Sequence, residues 1–180
     1  MFIRTSIDCN FSKYNGPAES TGINKIVDEL VRHWCLITDL DEFCWTQNGF
    51  KRLVSKLEDE GKVAAHGRFV DRISSDNSWP DISGKLDDVF PLACDLSLAA
   101  KCNCHKVPLV KRGVIITGGH HSVDVNPCKI AYDAVEVHHF KWSKGVIGTL
   151  KTRYSSYKQQ QLGWASESLW LRDFFTSQAN

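Results

Sequence analysis

Residues 34–43 read Trp34-Cys35-Leu36-Ile37-Thr38-Asp39-Leu40-Asp41-Glu42-Phe43, a short apolar run that breaks off in three carboxylates. The run is too brief for a helix and rich in strand formers, so it predicts a buried strand with the acids at its C-terminal end. Carboxylates this crowded cannot all be buried unpaired, because desolvating even one ion is expensive. Something positive has to lie beside them. On an extended backbone Asp39 and Asp41 point the same way, close enough to reach one divalent cation, and Leu40 is expected to point into the core. The bare tripeptide is equally compatible with an acidic loop, solvated and empty.

Outward from this stretch the pattern alternates. Upstream, Ile23, Ile26, Val27, Leu30 and Val31 recur on one helical face, after an opening read as loop to about Gly22. Downstream, Phe50, Leu53, Val54 and Leu57 mark a second amphipathic helix that Gly61 would stop, and residues 62–73 (KVAAHGRFVDRI) read as a strand. Helix, strand, helix, strand is α/β grammar. Residues 74–106 carry turn formers and scattered apolar residues, an excursion long enough to cover a site. Strand character returns at 107–121 and again at 134–142 (AVEVHHFKW), and two closing helices are expected around Val146, Leu150 and Tyr154 and around Leu169, Trp170 and Phe174.

Composition narrows the class. With 180 residues, 42% of them hydrophobic, the chain can bury one core and is read as a single domain spanning 1–180. Its net charge of +1 argues against a polyanion binder, and Lys141, Lys144, Lys151, Arg153 and Lys158 read as a solvated basic face rather than a nucleic-acid surface. The balance is uneven along the chain, however. Residues 1–100 hold 16 acidic and 11 basic side chains, and residues 101–180 hold 5 and 11. A negative half facing a positive half could hold a metal and a phosphate between them. No apolar run is long enough for a membrane span, and the odd count of 7 cysteines suggests a reducing, cytoplasmic location.

Two later clusters offer partners for the acids. In Val137-His138-His139-Phe140-Lys141-Trp142 the strand period puts His138 and Phe140 on one face and His139 and Lys141 on the other. A neutral imidazole can ligate a divalent metal and a lysine suits a phosphate, so either histidine fits a site beside Lys141. Gly118-Gly119-His120-His121 would let the backbone approach a ligand, or simply turn. Cys102-Asn103-Cys104-His105, with Cys94 upstream, lacks a partner pair at structural-zinc spacing.

Taken in order, residues 32–43 (RHWCLITDLDEF), 61–74 (GKVAAHGRFVDRIS), 105–123 (HKVPLVKRGVIITGGHHSV), 135–154 (VEVHHFKWSKGVIGTLKTRY) and 162–168 (LGWASES) resemble the later part of family-2-like glycosyltransferases. That resemblance implies an α/β, Rossmann-like A-type nucleotide-sugar fold, present only in part and truncated at its N-terminus, because 38 residues precede Asp39 where the family places a nucleotide-binding half. It implies a divalent cation, Mn2+ or Mg2+, on Asp39 and Asp41, with His138 or His139 completing the metal shell and Lys141 near the donor diphosphate. Asp71 would face the acceptor as a base, or else form a salt bridge with Arg68 or Arg72; Trp142 would contact that acceptor, as would Glu167 unless it serves as a charge at a helix N-terminus. The implied partners are a nucleotide-sugar donor, a saccharide or other hydroxyl acceptor, and a partner chain supplying the missing half. The implied activity is metal-dependent sugar transfer, or saccharide binding without catalysis in a relative that has lost it, where Trp142 and Trp164 would serve as aromatic contacts.

Overall fold

The computed structural model describes residues 16–30, 33–76, 78–96, 103, 105–163 and 165–177. In chain order the elements are α1 (Gly16–Leu30), β1 (Trp34–Leu36), β2 (Glu42–Trp45), α2 (Gly49–Asp59), β3 (Ala64–Ile73), α3 (Leu86–Val89), β4 (Leu92–Cys94), β5 (His105–Lys111), β6 (Ile130–His139), α4 (Val146–Gln159) and α5 (Ala165–Ser177). Both amphipathic helices form where their apolar spacing predicts, and α1 starts at Gly16, inside the stretch read as loop. Residues 1–15 of that stretch, Cys102 and Cys104 of the thiol cluster, and Trp164 lie outside the described residues.

The chain is mixed α/β, with a curled sheet ordered β1-β5-β3-β6-β2 and β4 paired to β3. Only β3 and β6 run parallel; β1–β5, β3–β5, β3–β4 and β2–β6 are antiparallel. The α1 face packs Ile23 and Val27 on Ala64, Val107, Val110 and Ile116. On the α2 side, Phe50, Leu53, Val54 and Leu57 cover Ala65, Leu109, Val135 and Val137. Trp142, Val146, Leu150 and Leu171 tie α4 and α5 together in a third cluster. Gly67 of β3 packs tightly under the Val137 side chain of β6. A Cβ there would stand 2.7 Å from Val137 Cγ2, so any larger residue must push the strands apart.

The stretch 34–43 departs from its expected form in an informative way. Instead of one strand ending in acids, it contains two short strands, β1 and β2, with Ile37–Asp41 between them. These two strands occupy opposite edges of the sheet. At roughly 4.8 Å per strand, a connection of this length can pass from one edge to the other only nearly extended and only over a curled sheet. The acids are therefore strung across the ends of β5, β3 and β6. Leu40, expected in the core, is 96% exposed, because the crossing segment has sheet on one side and solvent on the other.

Candidate functional site

The crossing explains which acid meets which partner. Asp39 passes the start of β5, where Lys106 forms an ion pair with it and a second one, 2.6 Å long, with Glu42 Oε1. Asp41 passes the end of β6, where its Oδ2 lies 3.6 Å from His139 Nε2, and its carbonyl accepts the Phe140 N–H at 2.8 Å. The other nitrogen of that ring, Nδ1, sits 3.3 Å from Asp71 Oδ1 at the end of β3. Asp71 Oδ1 also accepts the Trp142 indole N–H at 2.7 Å. Strand register enforces the grouping, since Glu42, His139 and Asp71 are neighbours across β2, β6 and β3 and so share a face. Phe69, two residues before Asp71, stacks on the His139 ring at 5.0 Å and lies 5.9 Å from Lys106 Nζ.

The result is two interleaved arrays, Asp39–Lys106–Glu42 and Asp41–His139–Asp71, each a base-type group held between two acids. Their electrostatics follow from burial against partners. Burial alone would raise the Asp41 carboxyl, yet hydrogen bonding to His139 and its charge hold it down at about 2. For His139 burial works against the proton, and hydrogen bonds to Asp41 and then Asp71 overcome it and raise the ring above its ordinary value. Asp39 is likewise lowered, by Lys106 acting against burial. Glu42 goes the other way, because burial and the charge of Asp39 outweigh the shared lysine. Lys106 holds its proton more firmly than a free lysine despite burial, through Asp39 and Glu42.

Each residue anticipated from sequence can now be placed. Asp39 and Asp41 are close in the chain but address different strands, so the shared reach expected of them is divided between Lys106 and His139. Of the two histidines, His139 joins the acids, while His138 turns to the opposite face toward Glu136 and Arg72. Lys141, two residues beyond His139, is near enough for its charge to act on that ring, and its Nζ lies 5.0 Å from the Trp142 ring. Asp71 is buried behind His139 instead of facing an open acceptor surface. Arg68 and Arg72, weighed as salt-bridge partners of Asp71, form ion pairs with Asp95 and Asp87. Trp142 is 2% exposed, a core residue whose ring offers no open face to an acceptor. Glu167 lies in the first turn of α5, and no contact between it and the acid arrays is found among the described residues.

Lys106 is the residue that sequence reading missed. It is the positive group the acids demanded, and its signal was a lone lysine at the head of the apolar run Val107–Val110. Among the described residues no three His, Cys, Asp or Glu side chains converge as a formed metal site. Cys35, Cys44, Cys94 and Cys128 are free thiols, and no described helix is long and apolar enough to cross a membrane. Compared with family models, with curated proteins and with solved structures, the chain matches none.

Proposed function

We propose that this chain is a family-2-like glycosyltransferase of the A-type nucleotide-sugar fold, transferring a sugar from a nucleotide-sugar donor to a hydroxyl acceptor. One observation carries the reading: Asp41 of the Asp-x-Asp pair and His139, which the resemblance implies for one site, lie 3.6 Å apart although 97 residues separate them. Lys141 beside them offers a point charge for a diphosphate.

The donor atoms suit the implied cation. A carboxylate oxygen and an imidazole nitrogen face each other at Asp41 and His139, and Asp39 could join them by releasing Lys106. Oxygen with imidazole is acceptable to Mn2+, whereas Mg2+ prefers oxygen throughout. Bound there, a divalent cation would supply electrostatic stabilisation to the diphosphate as it leaves. The protein's own groups do the rest. Asp71, fixed by the Trp142 indole, orients the His139 ring. Lys106 keeps Asp39 and Glu42 from repelling each other between turnovers. Asp71 acts in this scheme as a positioning residue.

A second reading has its own support. Since Lys106 and His139 already answer the acids from within the chain, the arrays need no cation to be stable, which favours a saccharide-binding relative without catalysis. The two readings part on turnover. With Mn2+ present, a panel of UDP- and GDP-sugars should yield free nucleoside diphosphate from at least one member, and EDTA should stop it. A chain that binds one of these donors but never releases diphosphate supports the second reading.

A further inference from the structure

We infer that the groove on the His138 face of the sheet binds a small quaternary ammonium ion, held by Trp45, Phe43 and Glu136. The inference stands apart from the donor reading, because this face lies opposite the acid arrays. Strand register builds the site: Trp45 pairs with Glu136 and Phe43 with His138, so all four side chains stand on one face. They line one groove of about 500 Å3, a volume suited to a small ligand. Its rings are open to solvent. Phe43 is 53% and Trp45 50% exposed, and as alternate residues of β2 they stand side by side, about 7 Å apart along the strand.

The same groove already holds one cation in this way. The Arg72 guanidinium lies over the Phe140 ring at 5.6 Å and pairs with Asp87 at 3.0 Å, and all three residues line the groove. An aromatic face, a carboxylate and a cation complete that set. Trp45 and Glu136, directly opposite each other across the strands, supply the first two members again. The Glu136 side chain is 51% exposed, and among the described residues no cation lies over the Trp45 or Phe43 ring. Tryptophan offers the strongest π face for a cation.

The polar groups of the groove select the ligand class. Arg72 is engaged on every side: its Nε and Nη2 donate to the Phe90 carbonyl, Nη2 also to Asp87, and Nη1 lies 3.5 Å from His138 Nδ1. An anion would therefore meet Glu136 and Asp87 without a free guanidinium to offset them. A sugar needs several hydrogen bonds to settle on an aromatic face, and outside the Arg72 network the groove keeps only the Glu136 carboxylate, 3.3 Å from His138 Nε2. A primary ammonium would bring three N–H donors to that single carboxylate. A quaternary ammonium has no donor to satisfy, and it is attracted both by the rings and by the Glu136 charge.

Choline is the probe, and its uncharged isostere, with a tert-butyl group in place of the trimethylammonium, is the control. Titrated into protein with labelled tryptophan indoles, choline should move the Trp45 NMR signal, which is assigned by its loss in Trp45→Phe. The isostere should bind at least about threefold more weakly. Glu136→Gln should weaken choline about two- to fivefold and leave the isostere unchanged. Trp45→Leu, which keeps an apolar side chain without the π face, should weaken choline about five- to tenfold. Both positions are half exposed, and unchanged indole signals from the other tryptophans show that each variant is folded. Equal affinity for choline and its isostere would reduce the site to an apolar cleft and overturn the inference. So would unchanged choline affinity in Glu136→Gln, a Trp45 signal that answers methyl glucoside instead of choline, or no movement up to about 50 mM choline.

Discussion

Two adjacent histidines at the end of β6 have opposite surroundings. His139 lies between two carboxylates beneath Phe69, in a buried array that continues through Asp71 to the Trp142 indole. His138, one residue earlier, faces a groove of about 500 Å3 with Phe43, Trp45, Arg72, Leu86 and Glu136, where Phe43 and Trp45 are exposed. The difference teaches that chemistry here is sorted by strand period more than by residue type. The Asp41 carboxylate reaches His139 because the segment 37–41 crosses the sheet end on its side, and Asp71 comes to it from the end of β3.

Substitution on the two faces should break that symmetry most visibly at Lys106. Lys106→Met leaves Asp39 and Glu42 facing each other with no cation between them, and breaking a buried pair by removing one partner costs about 3–5 kcal/mol. Because Glu42 already holds its proton above the usual range, the loss should fall toward the lower end. Urea denaturation of the variant measures it, and a loss below about 1 kcal/mol would mean that solvent screens the array. Trp142→Phe should come next, at about 1–3 kcal/mol, since it strips a buried 2.7 Å hydrogen bond from Asp71 and leaves that carboxylate under-satisfied. Trp142→Phe should also loosen the His139 ring, readable as broadened ring resonances.

A third effect is a slope in pH, measured without added metal. A histidine whose folded value is raised contributes stability fully below its ordinary 6.5, and loses it as pH rises through the folded value. The wild type should therefore lose stability on passing from mildly acid to alkaline pH, and His139→Gln should flatten that part of the curve. Asp41 acts at the other end, its contribution present above 3.8 and lost as pH falls through about 2. The smallest effect belongs to the opposite face, where His138→Gln should change stability by no more than about 0.5 kcal/mol. A loss there equal to that of His139→Gln would erase the distinction between the two faces.

Much of this was legible in the sequence, for identifiable reasons. The helices α1 and α2 and the strands β3 and β6 carry unambiguous apolar periods, and the α/β class follows from their alternation. The demand for a positive partner at Asp39, Asp41 and Glu42 came from desolvation alone, and the structure meets it. Which group answers was not legible, because Lys106 and His139 arrive through strand order, a property of the whole sheet. The failed placement of Leu40 has the same origin. Alternation holds for a residue inside a strand, but Leu40 belongs to a crossing between two strands with different neighbours. Trp142, which the resemblance implies as an acceptor contact, is buried with its N–H on Asp71, a pairing across 71 residues that no local pattern announces.

Manganese calorimetry on three proteins weighs the proposed site against its neighbouring face. Wild type and His138→Gln should give the same binding isotherm, and Asp41→Asn should weaken the cation by at least roughly tenfold, as loss of one carboxylate ligand implies. Indistinguishable isotherms for wild type and Asp41→Asn, or no binding heat from wild type, would contradict a cation site at Asp41 and His139.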